Sequence, residues 1–212
     1  MFHKSSILWE VLRKTVHLSG LLIVVGYTIL FHFFSANIAI LVMTALLLIL
    51  LEIEYIRIEH KPRITSMFDG VFRHHEKDNI SGAAFLVISC IICFSAFNYW
   101  VAVLALFMTV FGDLFAALFG KVFGKTKLHN NKTVIGTSAG FAANFAVGAL
   151  TIPGFLIVTL PMALVATITE LLTNKLDDNL TVPLFSGFMG QMIVFYMDLD
   201  LPPIDFTFLG LF

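Results

Sequence analysis

Charge is what this sequence has least of. Asp, Glu, Lys and Arg together make up 13% of its 212 residues, about half the usual share of a globular domain. A soluble domain of this length needs more polar surface than that, so no soluble domain is expected. Cysteine is nearly missing too. Cys90 and Cys93 stand alone in an apolar run, and no second pair, flanking histidine or polar setting makes them a redox or metal motif, so they read as packing residues. The formal net charge of −1 singles out no charged partner, and no nucleic acid is expected. Basic residues precede the first apolar run as in a signal peptide, but no small-residue cleavage site follows, and the segment is expected to be retained.

What fills the chain is apolar. Hydrophobic residues are 58% of it, 23 of them Phe, and the mean hydropathy is +0.93. Repeated apolar runs approaching ~20 residues predict an all-α integral membrane protein. Seven spans are expected, at about 15–34, 37–55, 82–98, 99–119, 135–151, 153–172 and 184–198, with Pro153 opening the sixth. The whole chain, 1–212, reads as one polytopic domain with loops 56–80, 120–134 and 173–183.

Positive charge sorts cleanly in this layout. Lys4, Arg13 and Lys14 precede the first span. Arg57, Lys61, Arg63, Arg73 and Lys77 follow the second. Lys121, Lys125, Lys127 and Lys132 follow the fourth, and Lys175 follows the sixth. All 13 Lys and Arg therefore fall on one side, which the positive-inside rule makes cytoplasmic. The N-terminus is expected inside and the acidic tail, with Asp198, Asp200 and Asp205, outside.

Several polar groups need more than topology. Asp113 would lie ~21 Å along the fourth helix and ~9 Å inside a ~30 Å hydrocarbon layer, where a carboxylate is costly unless paired or bound to metal. An interhelical salt bridge is the plain alternative. Beyond it come Gly120, Lys121, Gly124, Lys125, Lys132, Thr133, Gly136 and Thr137. Glycines let backbone amides approach a ligand and lysines add charge, a combination that suits phosphates; anionic lipid heads would suit the same lysines. The string "GKVFGKT" is no P-loop, since only three residues separate its glycines and a membrane helix precedes it. Gly136, Gly140, Asn144 and Gly148 share one stripe of the fifth helix, which favours close packing with Asn144 bonded to a neighbour.

Two clusters complete the basic side. Glu10, Arg13, Lys14 and His17 sit at the first span, with Glu10, Arg13 and His17 facing one way on a helix. Glu170 lies near the inner end of the sixth span, with Asp177, Asp178 and Asn179 in the turn after it. Carboxylates and an amide make a hard-oxygen set suited to Mg²⁺, and a solvated acidic turn is the bland reading. Together these groups point to phosphate chemistry on a lipid at the inner interface, with donor and acceptor unnamed.

At these residues the chain resembles the CTP-dependent lipid kinase family, which includes dolichol or polyprenol kinase, phytol kinase and fungal-type diacylglycerol kinase. The family's Arg-Lys…His opening matches Arg13, Lys14 and His17. Its Gly-Asp-x-x-Ala…Gly-Lys segment matches Gly112, Asp113, Ala116, Gly120 and Lys121. Its Lys-Thr-x-x-Gly-Thr segment matches Lys132, Thr133, Gly136 and Thr137. Its Glu…Asp-Asn-Leu-Thr-x-Pro ending matches Glu170, Asp178, Asn179, Leu180, Thr181 and Pro183. Ile135 departs from it, because many polyprenol and phytol kinase relatives have Glu there, and the acceptor lipid stays open.

The resemblance implies transfer of the CTP γ-phosphate to the hydroxyl of a membrane lipid alcohol, diacylglycerol or polyprenol. Asp113 would bind Mg²⁺ or act as base, and Arg13 and Lys14 would hold the γ-phosphate or the product head group. Gly120, Lys121, Gly124, Lys132, Thr133, Gly136, Thr137 and Asn179 would bind nucleotide. Glu170 and Asp178 would hold metal with Asp113, while Glu10 and His17 would orient the head group. The membrane would be a cell inner membrane or one of endoplasmic-reticulum type. A phosphatidate cytidylyltransferase-like enzyme is the alternative, although that family's C-terminal Asp-Arg signature is lacking. An anion transporter is a further alternative, and the one-sided placement of the polar groups argues against it.

Overall fold

The computed structural model describes residues 20–60, 79–129, 132–174 and 176–204. Among the described residues there are seven α-helices and no named strand: α1 Gly20–Phe33, α2 Ala36–His60, α3 Gly82–Ala96, α4 Tyr99–Phe123, α5 Val134–Thr151, α6 Leu156–Leu172 and α7 Asp178–Tyr196. Three of them, α2, α4 and α5, are long and apolar enough to cross a membrane, and α1, α3 and α6 are shorter apolar helices. Large apolar side chains face outward, with Leu41 71% exposed and Leu48 64% exposed on α2. Such a surface suits lipid and not water.

Helix α4 is the axis of the fold. Val101 to Leu106, Met108 to Val110 and Gly112 are all buried. One core cluster packs its Ala102, Val103 and Leu106 against α1, α2 and α3, where Cys90 and Cys93 are also buried. A second packs Val101, Leu104, Ala105 and Met108 against Val158, Met162, Ala163 and Ala166 of α6 and Val182 of α7.

Hydrogen bonds sort the helix ends into two groups. At one end the Asn98 amide donates to Gln191 Oε1 at 2.7 Å, Trp100 Nε1 donates to the Pro202 carbonyl at 2.7 Å, and the Thr28 and Tyr99 hydroxyls lie 2.9 Å apart. The other end gathers the close of α2, α4 and α6 with the start of α3, α5 and α7. The candidate site residues that fall in the described part, Asp113 to Thr137 of the Gly/Lys segment and Glu170 to Asn179, lie toward this end.

Several boundaries differ from the sequence reading. Pro153 does not open α6. It lies in a turn closed by the Phe155 amide on the Ile152 carbonyl at 3.2 Å, with Gly154 at φ +91°. Proline then glycine with a positive φ is the type II pattern, and Phe155 becomes the cap of α6. Helix α4 runs on to Phe123, so Gly120 and Lys121 are helical and not part of a loop. Helix α7 begins at Asp178 rather than near 184, because the Asp177 carboxylate caps it by accepting from the Asn179 amide at 2.9 Å. Helix α2 continues to His60, which shortens the expected loop 56–80 at its front.

Candidate functional site

The close of α4 crosses the start of α5 at glycines. A Cβ built on Gly136 would lie 2.7 Å from the Ala116 carbonyl and 3.0 Å from Gly120 Cα, and one built on Gly120 would lie 3.1 Å from Thr133 Oγ1. Contacts that short leave no room for a side chain. Thr133 caps α5, its hydroxyl accepting from the Gly136 amide at 3.1 Å. The Gly124 amide donates to the Gly120 carbonyl at 3.0 Å, and the Val134 amide to the Thr126 carbonyl at 3.0 Å. The amides around Gly120 and Gly136, expected to suit phosphates, lie at this crossing. These glycines bring two helices together, and the Gly124 and Gly136 amides are already used. In the Lys-rich connection Lys127 pairs with Thr133 in an antiparallel bridge, and the Leu128 amide donates to the Lys132 carbonyl at 2.8 Å.

Lys132 and Glu170 form the centre of the cluster. The Lys132 ammonium lies 3.3 Å from Glu170 Oε1 and also donates to the Glu170 main-chain carbonyl. That carbonyl belongs to the last turn of α6, where helix carbonyls lack intrahelical donors and favour a cation. Lys132 thus ties the start of α5 to the close of α6. The glutamate is 7% exposed. A Cβ at Gly140 would lie 3.7 Å from its Oε2 and 3.3 Å from the Gly112 carbonyl, so the carboxylate sits over the glycine seam beside Asp113. Among the described residues, the charges of Lys132, Asp113 and Asp178 act on it. Lys132 and Glu170, 38 positions apart in sequence, therefore meet at one place, with the charges of Asp113 and Asp178 acting there too. Lys121 stands in the last turn of α4, and Thr137 in the first turn of α5, its amide on the Thr133 carbonyl at 2.9 Å.

Asn179, expected to bind nucleotide, is engaged within the protein. It is 3% exposed, and its Nδ2 donates to the Gly82 carbonyl at 3.2 Å. Its own carbonyl accepts from Ser89 Oγ at 2.6 Å. Asn179 is a fastener between α7 and α3. The Thr173 and Thr181 hydroxyls, 3.1 Å apart, join α6 to α7 in the same region. The stripe on α5 packs as expected: Gly136, Gly140, Asn144 and Gly148 are all buried. Asn144 Nδ2 donates to Thr167 Oγ1 at 3.2 Å, and its Oδ1 has no hydrogen-bond partner among the described residues.

One pair was hidden in the sequence. Glu54 and Arg57 look like interfacial charges, yet they are 5% and 8% exposed. Arg57 Nη2 bonds Glu54 Oε2 at 2.5 Å and the Asn79 carbonyl at 2.6 Å, while Glu54 accepts from the Ser81 amide at 3.3 Å. The pair fastens α2 to the start of α3. Their three-residue spacing was the available signal. Glu10, Arg13, Lys14 and His17 lie outside the described residues.

Among the described residues no group of three His, Cys, Asp or Glu side chains is arranged to hold a metal by itself. Mg²⁺ usually binds through one or two carboxylates and takes its remaining ligands from water and substrate phosphates. Glu170 and Asp178 are carboxylates of the chemistry that such a cation takes. Comparison with known protein families, with curated proteins and with solved structures finds no match to this chain.

Proposed function

We propose that this protein is a CTP-dependent lipid kinase with seven membrane spans and its site at the cytoplasmic face. It would transfer the γ-phosphate of CTP to the hydroxyl of a membrane lipid alcohol. The single observation that carries the reading is the meeting of three separated motifs. Lys132 of one motif bonds Glu170 of another, and Asp113 of a third acts on the same carboxylate with Asp178.

The chemistry follows from what such groups can do. The lipid hydroxyl oxygen bonds to the γ-phosphorus, the bond from that phosphorus to the bridging oxygen breaks, and CDP leaves with the electron pair. Asp113 takes the hydroxyl proton. Lys132 and Lys121 hold phosphate oxygens as point charges. Glu170 and Asp178 would hold Mg²⁺, which neutralises developing charge on the phosphates. Catalysis of this type rests on positioning and charge neutralisation.

Purified protein, γ-labelled CTP and either diacylglycerol or polyprenol test the reading. Label is expected in the lipid and CDP in solution. Pyrophosphate release with a CDP-lipid product would establish the cytidylyltransferase instead. No turnover and no nucleotide binding would remove both.

A further inference from the structure

The cation best placed to meet a phosphate is already occupied. Lys132 is held by the Glu170 carboxylate at 3.3 Å and by the Glu170 carbonyl. Resting on the kinase reading, we infer that Lys132 is a shared latch: Glu170 holds it in the ligand-free protein, and a nucleotide phosphate takes it over on binding.

The pair is built for exchange. Its two sides are unequal in access, with the lysine side chain 29% exposed and the glutamate side chain 10% exposed. The ammonium can therefore turn toward an incoming anion while the carboxylate stays where it is. Lysine suits the role, being a compact charge on a flexible stem with three donors and no fixed fork. Phosphate, which carries more charge than a carboxylate, competes well for it. Once the lysine leaves, Glu170 stands buried beside the charges of Asp113 and Asp178. A buried carboxylate that loses its partner is destabilised, so the exchange favours arrival of a cation at the same moment. Nucleotide and Mg²⁺ are then coupled through one side chain, and neither binds well alone.

The inference makes a prediction of unexpected sign. If Glu170 only holds metal, Glu170→Gln leaves metal-free nucleotide binding unchanged. If Glu170 competes for Lys132, the same substitution removes the competing charge and tightens metal-free binding. Calorimetry of CTP with purified protein in excess EDTA reads the difference. Glu170→Gln is expected to bind about fivefold tighter than wild type, the scale of one partly exposed ion pair. Lys132→Ala added to Glu170→Gln should abolish that gain. Unchanged or weaker binding by folded Glu170→Gln would overturn the latch and leave the kinase reading standing. Failure of wild type to bind CTP with or without Mg²⁺ would overturn both.

Wild-type protein gives a second reading that does not depend on the variant folding. A hydrophobic carbodiimide labels carboxyl groups inside membranes, and peptide mass spectrometry locates the label. CTP in EDTA should raise labelling of Glu170 by freeing its carboxylate, and added Mg²⁺ should reverse the rise. Bound CTP with no rise at Glu170 would reject the exchange.

Discussion

Ser89 Oγ donates to the Asn179 carbonyl at 2.6 Å. That carbonyl would ordinarily accept from the amide four residues on, but the residue there is Pro183, inside α7 and without an N–H. A serine on α3 supplies the hydrogen bond that a proline on α7 withholds. Ser89→Ala should cost about 1–3 kcal/mol, the penalty for a buried acceptor left unpaired. Pro183→Ala in that background should recover part of it by restoring the helical donor. Thermal unfolding of the two single variants and the double variant measures the coupling, and strictly additive effects would mean the two residues are independent.

The glycine seam predicts a sharp contrast. Gly136→Ala places a methyl 2.7 Å from the Ala116 carbonyl, whereas a Cβ at Gly26 meets nothing within 4 Å among the described residues. The first should force α4 and α5 apart at a cost of about 1–3 kcal/mol. The second should be neutral or stabilising by up to ~1 kcal/mol, because alanine is the better helix former. Parallel melting curves in one detergent decide. Equal melting temperatures would show that the seam yields.

Arg57 is expected to be one of the most sensitive positions outside the proposed site. Arg57→Ala leaves Glu54, 5% exposed, without its cation, a loss on the order of 3–5 kcal/mol for a buried pair. Replacing both, with Glu54→Leu and Arg57→Met, should return most of the stability, since the uncompensated charge goes with the pair. A double variant as unstable as Arg57→Ala would show that the bonds to Asn79 and Ser81 matter more than the charge.

The contrast between Arg57 and the α5 stripe shows what the sequence can and cannot reveal. Gly136, Gly140, Asn144 and Gly148 announce a packed face because a helix repeats about every 3.6 residues, so local spacing alone defines the face. The apolar runs likewise placed the seven helices of the described residues, with errors mainly at their ends. Glu54 and Arg57 misled because a charge at the end of an apolar helix looks the same whether it faces water or a neighbouring helix. Lys132 and Glu170 each drew attention, but their bond spans 38 positions, and no local pattern encodes a partner at that distance. The glycines near Lys132 were legible as special. Their reason was not, since close helix approach and anion binding ask for the same residue.

Asp113→Asn separates chemistry from packing at the centre of the proposed site. The change preserves shape and removes the charge that acts on Glu170. Turnover is expected to fall at least ~10²-fold, the usual loss of a general base, with the melting temperature nearly unchanged. A destabilised protein whose surviving fraction keeps full specific activity would make Asp113 a structural partner instead.

Orientation gives the last prediction. Asp200 and Lys127 lie beyond opposite ends of α4. The Trp100 indole near the start of that helix donates to the Pro202 carbonyl at 2.7 Å, which holds the chain around Asp200 there. Lys127 follows Gly124, the cap at the far end. A helix of 25 residues is roughly 37 Å long, enough to cross a hydrocarbon layer of ~30 Å. The two positions should therefore face different compartments. All 13 Lys and Arg fall on the Lys127 side of the seven-span layout, and that side is expected to be cytoplasmic. The native Cys90 and Cys93 are buried and should not react with a polar maleimide. In intact cells, a membrane-impermeant maleimide should label Asp200→Cys and miss Lys127→Cys until the membrane is opened. Labelling of Lys127→Cys alone would invert the protein and put the proposed site on the wrong face for CTP. Labelling of both or neither in intact cells, with both reactive after opening, would place the two positions in one compartment and end the seven-span layout.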